Sequence, residues 1–157
     1  ARILPIYEGT NGIQAIDLLP RKLPLEGGKV AEAYIAELAQ TVADVKASNR
    51  PEFGRMGERL GAAVEALAAA SRWLGGALQK NPEAALAGAR PYLRLFGLAA
   101  GGVYLARGAL AVVRDGASDG AGRIAIARFF AENLATAAPG LADTITTGAD
   151  TVLNAAV

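Results

Sequence analysis

Phe53, Leu60, Leu67 and Leu74 recur at every seventh position, and Gly57, Val64, Ser71 and Leu78 fill a partner row beside them. A repeat of that length holds one apolar stripe on one side of a helix, and the stripe must be covered by other helices. It calls for bundle packing at shallow, coiled-coil-like crossing angles. No strand pattern follows residue 7.

The rest of the chain supplies the covering helices. Val30, Tyr34, Leu38, Val42 and Val45 mark one face of a helix from about Gly28 to Ser48. Ser48 to Pro51 reads as a turn with a cap residue and a proline at the first helical position. Asn81-Pro82-Glu83 opens another helix, which runs to about Asp115 and is expected to kink at Pro91. In it, Gly97 and Gly101 form a GxxxG pair suited to close helix contact. Beyond a glycine-rich loop with Ser118 and Asp119 as cap candidates, helices are expected over about 121–137 and 139–152, with Phe129, Phe130 and Leu134 in the core. The expectation is an all-α antiparallel bundle of about four to five helices.

Composition narrows the function classes. A hydrophobic content of 52% over 157 residues suffices for one buried core. A net charge of +1, with basic residues spread along the chain and Arg21-Lys22 the one adjacent pair, argues against a nucleic-acid partner. The chain has no cysteine and no histidine, which removes thiol chemistry and the commonest metal ligand and fits a reducing, cytoplasmic setting. No metal site is expected. Leu95 to Ala106 is the most apolar stretch, and its flanks Arg94 and Arg107 make a membrane span unexpected. Arg90, Arg94 and Arg107 could line an anion groove or simply pair with acids, and Trp73 reads as core or interface.

The chemistry-bearing segment lies at the start. Glu8 stands between Tyr7 and Gly9, just ahead of Thr10 and Asn11, with Gln14 three residues on as a cap partner for Asn11. A carboxylate there could serve as a general base beside a helix N-terminus, or be a solvated loop residue. Pro20 is expected to end or kink the first helix near Leu19. Pro24 to Gly28 is the clearest break, and it divides the chain into residues 1–25 and 26–157.

Pro5 to Leu18 closely resembles the signature of flavin-dependent acyl-CoA dehydrogenases, with the acid, glycine and threonine in register. The resemblance implies that Glu8 removes the α-proton of a CoA thioester while its backbone N–H polarises the thioester carbonyl. Gly9 would lie against substrate, and Thr10 and Asn11 would face FAD. Gly12 departs from many members, which carry a polar side chain there. Residues 26–157, with Ala127 to Leu134 as the most telling phrase, resemble the additional helical domain of longer bacterial acyl-CoA dehydrogenases. Some of these act on 3-(methylthio)propanoyl-CoA and others on fatty acyl-CoAs.

The likeness implies a C-terminal portion of a bacterial, cytoplasmic, homo-oligomeric (dimeric or tetrameric) enzyme that passes electrons from FAD to an electron-transfer flavoprotein. The flavin would be bound mainly by preceding sequence. A start at Ala1, with Met56 the one methionine, accords with that. The rival reading is a non-catalytic helical module for subunit assembly or interdomain packing. Residues 1–23 are expected to be weakly anchored, because Ile3, Ile6, Ile13 and Ile16 read as side chains buried elsewhere.

Overall fold

The computed structural model describes residues 10–116 and 120–155. Among these residues eight α-helical segments occur: α1 (Asn11–Asp17), α2 (Lys29–Ala47), α3 (Met56–Lys80), α4 (Pro82–Ala87), α5 (Ala89–Asp115), α6 (Gly120–Phe129), α7 (Ala138–Thr147) and α8 (Ala149–Leu153). No strand occurs among the described residues. The expected helical bundle is present, and α2, α4, α5 and α7 all pack against α3.

The seven-residue repeat explains that packing. Leu60, Leu67 and Leu74 are fully buried, and Phe53 and Val64 nearly so. Phe53 precedes α3, in a 3-10 turn over Pro51–Phe53. Gly54 then reverses the chain at φ 51, ψ −127, a backbone region that only glycine enters readily. The Arg55 N–H just beyond it donates to Glu132 Oε1 at 2.8 Å, which ties the start of α3 to the turn after α6.

On α2 the buried face is Ile35, Leu38, Thr41, Val42 and Val45. Val30 and Tyr34 lie at its margin, with Val30 45% exposed.

The helix expected from Pro82 to Asp115 is two helices. The break falls at Gly88 rather than at Pro91. Pro91 would clash with the carbonyl four residues back in a continuous helix. Ending α4 at Ala87 leaves Pro91 in the first turn of α5, where no N–H is needed. Asn81 caps α4, its side chain accepting from the Ala84 N–H at 3.2 Å.

Close approach of α5 to α3 depends on a glycine other than the expected pair. A Cβ on Gly97 would meet nothing within 4 Å, and one on Gly101 would make only ordinary contact with Phe130 at 3.7 Å. A Cβ on Gly102 would sit 2.5 Å from Leu60 Cδ2. At 27 residues, with an 18-residue window of mean hydropathy 1.6, α5 is long and apolar enough to cross a membrane by length and composition. Arg94 and Arg107 do not bound it as the sequence suggested. The bundle buries one side of it through Tyr92, Leu95, Ala99, Val103, Ala106 and Ala109.

The last expected core residues also move. Phe129 is 59% and Leu134 44% exposed, while Ala127, Ala131, Ala135 and Ala138 are fully buried. A π turn over Phe130–Leu134 and a 3-10 turn over Ala135–Ala137 reset the helical register. The space left by Gly102 then admits the Phe130 ring, 3.3 Å from the glycine's absent Cβ, and small residues fill the rest. Ser118 and Asp119 lie outside the described residues.

Leu67 lies in the middle of the seam and is fully buried. Leu67→Ala should cost about 2–5 kcal/mol, read as a lower midpoint in denaturant unfolding at unchanged slope.

Candidate functional site

Glu8 and Gly9 lie outside the described residues. Thr10 occupies the cap position of α1 and Asn11 is its first residue, both exposed. The cap position thus falls on Thr10, which makes no side-chain cap hydrogen bond to α1, and not on Asn11 of the expected Asn11–Gln14 pair. At a helix start the first backbone N–H groups have no intrahelical acceptor, so they can serve a carbonyl or phosphate group.

Beyond Asp17 the helix passes through Pro20 without ending. It widens into a π turn over Leu18–Lys22, closed by the Leu23 N–H donating to the Leu18 carbonyl at 2.8 Å. The wider turn absorbs the donor that proline lacks. Asp17 takes Arg21 at 2.7 Å and Lys22 at 3.3 Å, which clips the turn from outside.

This segment is anchored, contrary to expectation for residues 10–23. Ala15, Leu19 and Leu23 are at most 6% exposed and belong to the same core as the bundle. Ile13 and Ile16, on the other side of α1, are 67% and 50% exposed. One face thus holds the motif-bearing helix while the other stays uncovered. Glu26, Gly27 and Gly28 then take left-handed φ values of 52, 69 and 93, which makes the sharp turn into α2.

Two polar clusters sit in the bundle. Tyr92 is fully buried, and its hydroxyl lies 2.8 Å from Ser71 Oγ, which also reaches the Leu67 carbonyl at 2.7 Å. Burial pushes the Tyr92 phenol up. Between α2 and α5, Arg107 binds Glu37 at 2.7 Å and donates to Thr41 Oγ1 at 2.8 Å, with its guanidinium 5.2 Å from the Tyr104 ring centre. Tyr34 donates to the Tyr104 hydroxyl at 3.2 Å. Burial, and then that hydrogen bond, raise its pKa to about 12. Arg107 is thus an ion-paired strut rather than an open anion ligand. No group of three His, Cys, Asp or Glu side chains lies together among the described residues.

A groove of about 850 Å³ lies between α2 and α3, lined also by Pro20, Leu23 and Pro24. Its floor is Ile35, Val64, Ala68 and Leu78. Sequence reasoning passed over it. The available signal was Gly75-Gly76 inside a strongly helical run, where glycine is costly without a reason.

Comparison with known proteins supplies two likenesses. The family described as "Acetyl-CoA dehydrogenase C-terminal like" matches residues 34–156, from within α2 to nearly the end of the chain. The chain is also 35% identical, over 162 aligned residues, to 3-methylmercaptopropionyl-CoA dehydrogenase of Ruegeria pomeroyi. That alignment covers 100% of this chain and 27% of the relative's length. It therefore includes the segment from Tyr7 to Asn11 as well as the bundle.

Two measurements test the polar clusters. Ser71→Ala should strand the buried Tyr92 hydroxyl and cost about 1–3 kcal/mol, with much of the loss recovered in the Ser71→Ala/Tyr92→Phe double variant. Tyr34 stays protonated longer in the folded protein than in the unfolded chain. Its contribution is complete below the ordinary tyrosine value of 10.0 and is lost as pH rises toward about 12. Stability measured against pH should fall across that window, less steeply in Tyr34→Phe.

Proposed function

Because the chain belongs to the family of acetyl-CoA dehydrogenase C-terminal-like domains, we propose that it forms part of a longer, homo-oligomeric, FAD-dependent enzyme that oxidises an acyl-CoA thioester to its trans-2-enoyl-CoA. The observation that carries this reading is the alignment to a named acyl-CoA dehydrogenase across the whole chain, acid motif included. In this proposal residues 1–25 bear the base, and residues 26–157 are a helical domain whose acids serve surface ion pairs, as Glu37, Glu58 and Glu132 do.

Thr10 and Asn11 fit a cofactor contact, being exposed at the start of α1 next to the acid motif. The rest of the longer protein would make most of the flavin site. When bound, the flavin supplies the acceptor for the β-hydride. The work of this chain is proton removal. Protons α to a thioester are weakly acidic, so the Glu8 carboxylate needs help from a donor aimed at the carbonyl oxygen, where charge develops. The Glu8 backbone N–H is that donor in the proposal, and Gly9 lets substrate approach without a side chain in the way. An electron-transfer flavoprotein is the proposed electron acceptor.

Glu8→Gln in the longer protein keeps the shape and removes the base. Turnover should fall by more than the roughly 10²–10⁴ typical of one acid–base group, with flavin absorbance unchanged. Turnover near that of the unaltered protein would assign the base elsewhere. The chain 1–157 alone should purify without flavin absorbance, and a stoichiometric flavin band would overturn the division of the site.

A further inference from the structure

We propose that the groove between α2 and α3 is a two-fold interface in which α3 of a second copy of this chain lies against α3 of the first. The proposal rests on the homo-oligomeric reading and deepens it by naming its surface, and it does not depend on the identity of the substrate.

The first observation is a pair of glycines with no task inside the chain. Gly75 and Gly76 lie within α3 and line the groove, and a Cβ built on either meets nothing within 4 Å. Two glycines inside a helix each forfeit about 1 kcal/mol relative to alanine. At Gly102 a close internal neighbour explains that cost, and here none does. The missing side chains leave room above the helix, together with exposed Ala36 and Ala39 on the facing wall. An incoming helix backbone can approach there as closely as small residues permit.

The second observation is charge. On the α3 wall, Glu65 and Arg72 line the groove and are exposed, and neither side chain makes an ion pair or hydrogen bond within the described residues; Glu32 on the α2 wall is exposed and equally without such a partner. They are seven residues apart, hence on the same side of α3 and about 10 Å apart along its axis. In a two-fold pair every contact occurs twice, with i on j and j on i. An axis beside Ala68, midway between the charges, sets Glu65 of one copy against Arg72 of the other, and the reverse. A basic or acidic partner would satisfy one charge and oppose the other. A second copy satisfies both.

The absence of cysteine from the sequence makes the test direct. In Ala68→Cys the only thiols belong to residue 68, next to the proposed axis. Mild oxidation should link two chains into a covalent dimer, whereas Gly140→Cys on α7 should give none. Sedimentation equilibrium of 1–157 should show a reversible dimer. Glu65→Arg and Arg72→Glu should each weaken it by roughly tenfold or more, and the Glu65→Arg/Arg72→Glu double variant, with both pairs re-formed in reverse, should recover it. Circular dichroism should be unchanged in all of these surface variants. A chain that stays monomeric at every concentration would overturn both the interface and self-association of this part of the protein. A dimer that ignores the charge changes and fails to cross-link through residue 68 would leave the homo-oligomer standing and discard this surface.

Discussion

Removal of water from one side of α3 is the interaction on which the other elements depend. Leu60, Leu67 and Leu74 are fully buried, and α2, α4, α5 and α7 pack around the helix that carries them. Among the described residues, only α5, which crosses α3 and also meets α1, α2, α4, α6 and α7, is packed by more helices. α5 lays Tyr92, Leu95, Val103 and a row of alanines over this stripe, and α6 packs in turn on α5, so the short α6 depends on the stripe through α5. Gly102 is the structural expression of that need. It lets α5 settle onto Leu60 closely enough for a thin alanine layer to exclude water.

Much of this was legible in the sequence, and the rest failed for definable reasons. The period of seven, the Asn81 cap and the turn at Glu26 to Gly28 all act through local backbone rules, and they appear where the residues place them. Phe129 lies ahead of the π turn and two residues from buried Ala127, hence on the opposite side of α6, whereas Leu134 was misplaced because its burial is a matter of register. One π turn rotates everything after it, and a period of 3.6 counted through that turn points to the wrong face. Gly97 and Gly101 were chosen for their spacing, whereas close approach is decided by what stands opposite, and only Gly102 faces Leu60. Ala15, Leu19 and Leu23 obey the same principle: their partners on α3 and α5 lie far along the chain, and no local pattern announces them.

For the candidate site, sequence spoke in one direction and fold in another. The acid motif is visible as a string of residue types around Glu8, with no need of tertiary structure. The fold adds the mounting of that string. α1 is fixed to the bundle by three buried side chains while Ile13 and Ile16 face away from it. The groove between α2 and α3 is the reverse case, built from alanine and glycine whose meaning emerges only when two helices stand side by side.

The π turn at Leu18 to Lys22 has a bearing on how such chains can vary. It houses one more residue than an α-helical turn would, between the anchors Ala15 and Leu23. Deleting that residue would restore regular helix and turn everything ahead of it by about 100°. Thr10 and Asn11 would then point to another quarter of the molecule, with the bundle itself intact. The aim of the motif is in this sense set by residue count around Pro20.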